Sequence, residues 1–367
     1  MKNPKILFIL PLPPPNHGST IMAKQIVESD LLNTNFICDN ININVSIVVS
    51  EIGKFSFRKI IRIIISYFTL IFKLISNKYN LCYIANTPTG IAFIKDSVYI
   101  LICKLFCKKI ILHQHGKGFS SYKHKILYNF LYKICFSNVK VILLSWRLYP
   151  DISCFVNKNQ VYICPNGIPY TICNPPDFKP NHNSVRLLFL SNLIRTKGVF
   201  ELLDACKVLL DRGYNFECFF VGAETKEISV KVFNEEINKR NLTEKVKYLG
   251  IASFERKNSF YENCDIFIFP TFNDCFPLVL LEAMQHGLPI ITTYEGAIPD
   301  IIEDNKNGLL CKSNDSQELA EKIELLIKNE QLRIILGNES QHDFNLKYKN
   351  EIFERNLLNI FSEILKS

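Results

Sequence analysis

Two carboxylates eight positions apart, Asp274 and Glu282, are the side chains of this chain best placed to do chemistry. They lie in the stretch Cys264 to Pro289, which reads as a buried strand over Ile266 to Phe269, an irregular turn holding Asp274, and a helix opening near Pro277. Glu282 falls in the first turns of that helix, which stops at Gly287 and Pro289. Both acids therefore face the helix's N-terminal end, where unpaired backbone N–H groups and the helix dipole favour an anion. Two acids so placed could serve as the acid and base of a hydrolase, or they could bind a ligand whose charge rests on the helix. Arg195 and Lys197 favour the second reading. They occupy a loop and first helical turn after the apolar run Val185 to Leu190, well placed for a diphosphate.

A second group of candidates lies earlier. Lys109 to Gly116 reads as a strand ending in polar residues and glycine. Ligands of open α/β sheets bind beyond the carboxyl ends of strands, where His113, His115, Gly116 and Gly118 fall. His113 and His115 share a strand face, and His115 is nearer the tip, where a histidine binds substrate or handles a proton. No Cys/His/Asp cluster accompanies them in sequence, so no metal is expected there. Lys117, Lys123 and Lys125 add positive charge at the same rim. At the N-terminus, the strand-like run Lys5 to Leu10 is broken by Pro13–Pro15 and the turn Asn16 to Thr20, with helical spacing from Ile21. Gly18 in that turn lets a phosphate approach backbone N–H groups. A lone glycine is no dinucleotide fingerprint, and an ordinary helix cap explains it equally well.

The elements that must position these residues alternate strand and helix through the whole chain. Its 367 residues suit two domains. Strands are expected over Asn80–Ala85, Val139–Leu144, Val161–Cys164, Phe216–Val221 (with Gly222 at its tip), Lys245–Leu249 and Ile290–Thr293. Helices are expected over Thr89–Phe106 and from Lys197–Gly198 to Arg212, with two more over about 315–340 and 345–366. Glu295–Asp300 and Asn307–Leu310 read as turns. The Pro- and Asn-rich segment 170–184 is the best linker. The fold class is α/β, with a first domain over 1–168, a linker over 169–184, a second domain over 185–345 and a C-terminal helix over 346–367.

Charge is unevenly spread. Residues 1–170 hold 20 Lys/Arg against 6 Asp/Glu, a balance of +14, whereas residues 171–367 hold 23 against 29, a balance of −6. The basic half points to a polyanion or an anionic membrane surface. No helix-turn-helix, zinc-finger or RNP-type signature supports nucleic acid as the partner. Residues 55–79 form an apolar helix flanked by Arg58, Lys59, Arg62, Lys73 and Lys78. Its uncharged centre, Ile63 to Phe72, is too short to span a bilayer. It fits a crossover helix buried on the sheet, the favoured reading, or a helix lying in a membrane interface, and one helix can be both. The 13 cysteines lack C-x-x-C spacing and no signal peptide is present, which fits reduced, buried thiols in a cytoplasmic protein.

Several segments resemble the family-4 retaining glycosyltransferases, over nearly the whole chain and most specifically in its C-terminal half. Asn166–Ile168 resembles the family's turn before the linker, and Leu190 to Gly198 its Gly-Arg-Leu-x-x-x-Lys-Gly loop. Asp265 to Pro270 resembles its strand, Asp274 to Glu282 its Glu-x-seven-Glu motif, and Glu295–Glu303 with Asn307–Leu310 the tail of the pattern. The resemblance implies two facing Rossmann-like domains with parallel sheets (the GT-B architecture), with the C-terminal helix crossing back to the first. Two positions depart from it: the loop arginine is Asn192 here, leaving Lys197 as the matched cation with Arg195 nearby, and the first acid is Asp rather than Glu. Gly18 falls where the family has a glycine pair.

The resemblance further implies transfer of a sugar (a hexosyltransferase-type reaction) from a nucleotide-sugar to an acceptor with retained anomeric configuration. Lys197, Arg195 and the helix N–H groups would steady the departing diphosphate, with Asn192 and Gly222 also lining the donor. Glu282 would hold the nucleotide ribose. Asp274 with Phe276, Pro277 and Leu278 would read the donor sugar, and His115 would stand on the acceptor side. There is no Asp-x-Asp sequence, so neither a metal nor any other cofactor is expected. A saccharide acceptor, lipid-linked at the inner face of the cytoplasmic membrane, would account for the basic half, with Arg58, Lys59, Arg62 and Lys117 on that side. The expected role is bacterial surface polysaccharide assembly, such as O-antigen or capsule. Rival readings are a sugar-nucleotide epimerase, a soluble-acceptor synthase and a non-catalytic subunit of a transferase complex.

Overall fold

The computed structural model describes residues 3–15, 18–44, 57–107, 109–171 and 184–366. Most of the expected linker (172–183), Asn16 and His17 of the first turn, and residues 55–56 at the start of the basic helix lie outside them. Two compact units emerge: Met1–Asn166 with Glu351–Ser367, and Gly167–Asn350.

The first unit is built on a six-stranded sheet in the order β2-β1-β3-β4-β5-β6, every pair parallel. Its strands are β1 (Lys5–Leu10), β2 (Ile37–Asn42), β3 (Leu81–Asn86), β4 (Ile110–Gln114), β5 (Lys140–Leu143) and β6 (Val161–Ile163). β1 and β3 are near-continuous apolar runs because helices cover both faces of a parallel sheet. The connecting helices are α1 (Gly18–Glu28), α2 (Asp30–Asn35), α3 (Phe57–Ser76), α4 (Gly90–Phe106), α5 (Phe119–Tyr122), α6 (Ile126–Phe136) and α7 (Tyr149–Ile152). The strand order reverses between β1 and β3, so the ends of these two strands flank a topological switch point, with β4 next to β3.

The second unit repeats the plan with a sheet ordered β12-β11-β10-β7-β8-β9, again all parallel. Its strands are β7 (Val185–Leu190), β8 (Phe216–Val221), β9 (Val246–Tyr248), β10 (Ile266–Phe269), β11 (Ile290–Thr293) and β12 (Leu309–Cys311). The helices are α8 (Val199–Asp211), α9 (Val230–Lys239), α10 (Phe254–Asn263), α11 (Leu278–Gln285), α12 (Ile298–Ile301), α13 (Ser316–Lys328) and α14 (Glu330–Lys347). Here the order reverses between β7 and β10. Helix α15 (Asn350–Lys366) belongs, from Glu351 on, to the first unit. Its Phe361 packs on Phe8, Phe36 and Tyr83 of that unit's core.

The structure revises several expectations. The segment 307–310 is not only a turn, because Leu309 to Cys311 pairs with β11 as an edge strand. The C-terminal region holds three helices rather than two, since Asn329 caps a new helix by accepting from the Leu332 N–H. Helix α3 is the crossover from β2 to β3, but it is not the buried helix expected. Only Leu70 and Leu74 of its twenty residues are buried.

Candidate active site

Asp274, Arg195 and Lys197 lie at one switch point, on the loops that follow β7 and β10, and Glu282 lies in α11, the helix that the second loop enters. These loops interlock. The Thr196 carbonyl accepts from the Phe272 N–H at 2.9 Å and from the Thr271 hydroxyl at 3.0 Å. Gly198 makes the approach possible. Its φ of +82° is left-handed, and a Cβ there would stand 2.2 Å from the Pro270 carbonyl oxygen. A similar contact closes the other side. Gly296, at φ +56°, runs so close to Asp274 that a Cβ would reach its carbonyl oxygen at 2.5 Å. The Ala297 N–H then donates to the Cys275 carbonyl at 3.0 Å.

Within this cradle the Lys197 Nζ donates to the Asp274 carboxylate at 2.5 Å and to the Asn273 carbonyl at 3.2 Å. Asp274 also accepts from the Cys275 N–H at 2.7 Å. Both members of the pair keep about a fifth of their side-chain surface exposed, so solvent and a ligand can reach them. Pro277 occupies the cap position of α11 and no side chain caps that helix; its carbonyl takes the Leu280 N–H at 3.2 Å, and the N–H groups of Leu278 and Val279 stand at the open end of the helix. Phe276 is buried and meets the Tyr348 ring edge-on, while Leu278 begins the helix. Arg195 is exposed, with its guanidinium 5.6 Å from the Phe200 ring centre. Asn192 is structural on its acceptor side, receiving the Ala223 N–H at 3.1 Å. Gly222, just after β8, donates its N–H to Gly250 and presses on the Ser191 backbone.

Glu282 is held more firmly than sequence reasoning anticipated. The Lys257 Nζ lies 2.5 Å from one carboxylate oxygen and the Tyr261 hydroxyl donates to the other at 2.7 Å. Burial, reinforced by the Glu282 charge, pushes the Tyr261 phenol well above its ordinary pKa, so it stays a donor. Lys257 and Tyr261 come from α10, whose polar sequence gives no hint of a site. Their four-residue spacing, one helical turn, is the only signal that could have marked them.

In the first unit, His113 is fully buried and bonded through Nδ1 to the Tyr83 hydroxyl. His115, just beyond β4, has its ring 4.1 Å from that of His113. Burial lowers the His115 pKa to about 4, against an opposing hydrogen bond with Asn166. The imidazole is therefore neutral at pH 7 and acts as a hydrogen-bonding group, not as a cation. The following turn is fixed by Asp151, which accepts from the N–H groups of Gly118, Phe119 and Ser120. Lys117 lies partly exposed in that turn, and Gly18 opens α1. Arg58, Lys59 and Arg62 fall in the first turns of α3. Among the described residues no group of three His, Cys, Asp or Glu side chains could hold a metal ion.

The family model for glycosyl transferases group 1 matches residues 174–343. An uncharacterized glycosyltransferase of Methanocaldococcus jannaschii is 30% identical over 256 residues, 69% of this chain and 68% of that protein. The chain belongs to the glycosyl transferases group 1. The capsular polysaccharide biosynthesis glycosyltransferase CapM of Staphylococcus aureus is 28% identical over 48% of this chain and 46% of its own length. A Campylobacter jejuni transferase, named as an N,N'-diacetylbacillosaminyl-diphospho-undecaprenol α-1,3-N-acetylgalactosaminyltransferase, is 30% identical over 49% of this chain and 45% of its own. The chain thus spans about half the length of these two relatives. The Anabaena protein HepE, solved with UDP, shares the fold at a TM-score of 0.73 and 17% identity, covering 98% of this chain and all of that one. The family's two-sheet GT-B fold is the one found here, and with it the expectation of a transferase enzyme.

Proposed function

We propose that this glycosyltransferase moves a sugar, with retained anomeric configuration, from a nucleotide-sugar to a lipid-linked saccharide in the assembly of a bacterial surface polysaccharide, as a family-4 enzyme. One observation carries the reading. A cation paired with a carboxylate, Lys197 with Asp274, lies at the β7/β10 switch point just ahead of a helix whose N-terminus no side chain caps, the place where a parallel sheet binds ligands. In the transition state the sugar gains oxocarbenium character while negative charge builds on the diphosphate. Lys197, set beside the start of α11, leaves Asp274 for that diphosphate, and the N–H groups of α11 supply further donors. Asp274, released by Lys197, accepts from a donor-sugar hydroxyl. Glu282 keeps a lone pair on each oxygen and accepts from the ribose hydroxyls. Arg195 supplies a second cation, and His115 offers a neutral imidazole to the sugar side.

The sequence's lack of Asp-x-Asp favours a metal-independent reaction, with the cationic role falling to Lys197. HepE's complex with UDP supports a nucleotide-sugar donor, and the diphospho-undecaprenol in the Campylobacter relative's name supports the lipid-linked acceptor. A peripheral position on the inner face of the membrane completes the reading; no described helix is long and apolar enough to cross one. A thermal-shift screen of nucleotide-sugars tests the donor, because a ligand at a hundred times its Kd stabilises by about 2.7 kcal/mol. One nucleotide-sugar should raise Tm in the wild type and not in Lys197→Met. If none does so, the donor assignment is wrong.

A further inference from the structure

We infer that α3, α4 and α6 together form a face that inserts into an anionic lipid surface. This deepens the membrane part of the proposed function and rests on it. The crossovers β2→β3, β3→β4 and β4→β5 all run in one direction across the sheet, and right-handed connections put their helices on the same side. The contacts agree. The Tyr67 hydroxyl of α3 donates to the Lys95 carbonyl of α4, and Phe93 of α4 packs on Tyr132 of α6.

The outer surface of this layer is apolar. Along α3, Phe57, Ile61, Ile64, Phe68, Phe72 and Ile75 recur at three- and four-residue spacing, and all are exposed. Phe68 and Phe72 show 67% and 71% of their surface to solvent, more than an isolated surface phenylalanine needs explaining away. Ile126 and Phe130 of α6 are likewise exposed, at 89% and 60%, and Ile91 and Leu105 project at the two ends of α4.

Charge selects the occupant. Helix α3 carries Arg58, Lys59, Arg62 and Lys73 and no carboxylate. The three helices contain a single acid, Asp96, which is buried and accepts from the Thr87 N–H. Lys73 stands 3.9 Å from Asp39 of β2, and Lys59 and Arg62 also have partners within the protein. The attraction therefore comes from the net positive field of the layer. A second copy would bring the same positive charge against it. Anionic headgroups match the cations while the acyl boundary takes the phenylalanines, the arrangement of a helix lying in an interface.

Co-sedimentation of the full chain with vesicles tests this. The expected result is binding to phosphatidylglycerol-containing vesicles at roughly physiological salt, about tenfold or more tighter than to phosphatidylcholine alone. Phe68→Ser with Phe72→Ser should weaken it about a hundredfold, since each phenylalanine buried in lipid contributes roughly a tenfold factor. Phe130→Ser should weaken it by a smaller factor, extending the face to α6. Both variants should transfer sugar to a detergent-dispersed acceptor as the wild type does, which separates this face from the transfer chemistry. Absence of vesicle binding in an active protein overturns the inference. So does a dimer that dissociates in the Phe68→Ser, Phe72→Ser variant, because the face would then be covered by a second copy.

Discussion

Replacing Lys257 with methionine isolates the clamp on Glu282. Methionine keeps most of the apolar stem and removes the ammonium, leaving Glu282 with the Tyr261 hydroxyl alone. A hydrogen bond to a charged group contributes about 1.5–3 kcal/mol. Lys257 and Glu282 retain 24% and 21% of their side-chain exposure, so screening reduces the loss to about 1–2 kcal/mol. For a unit of this size that lowers Tm by about 2–8 °C. The effect on the enzyme should be larger in KM than in kcat. A carboxylate no longer fixed on one side meets the ribose diol in fewer productive orientations, and the ribose contact is present in ground and transition states alike. We expect KM for the nucleotide-sugar to rise about three- to tenfold with kcat within about twofold, and Lys257→Arg to restore most of it. Steady-state kinetics beside a thermal melt decides. A lower Tm with unchanged KM would make the clamp structural only and refute its link to the ribose.

Three further outcomes follow from the same geometry. Lys197→Met should lower kcat by about 10²–10³, the usual cost of losing a charge-stabilising donor, in a single-turnover assay of nucleoside diphosphate release. Gly198→Ala should cost about 3 kcal/mol or more of stability in a denaturant melt, because it combines a left-handed φ with a Cβ 2.2 Å from a carbonyl oxygen. Stability should also fall on acidification. His115 has a depressed pKa of about 4, so its neutral form contributes stability fully above the unfolded value near 6.5, and that contribution is lost as pH falls from about 6.5 toward 4. The loss amounts to at most about 3 kcal/mol, and urea melts of His115→Gln should show a shallower slope over that window.

How much was legible in the sequence depends on how local the cause was. β1, β7, β8, β10 and β11 are apolar runs bounded by Gly, Pro or polar turns, and their limits match the expectation. β2, whose sequence is ICDNIN, pairs on one side only and carries no continuous apolar signal. β12 is a three-residue edge strand hidden behind an Asn–Gly turn. The apolar residues of α3 were visible, but which of them the sheet would cover was not. Asp274 and Glu282 could be placed from the strand-turn-helix pattern, whereas the partners of Glu282 come from a different helix and depend on tertiary packing. Nor does spacing reveal that Lys197 and Asp274, 77 positions apart, meet as an ion pair.

The central claim is transfer from a nucleotide-sugar through the site at β7 and β10. Its most direct test is product analysis by NMR and mass spectrometry after the protein is mixed with a stabilising nucleotide-sugar and a lipid-linked or detergent-dispersed saccharide acceptor. The account predicts one nucleoside diphosphate released per sugar added, with the new linkage keeping the donor's anomeric configuration and Lys197→Met nearly inactive. An epimerised nucleotide-sugar with no diphosphate release, or an inverted linkage, would contradict it.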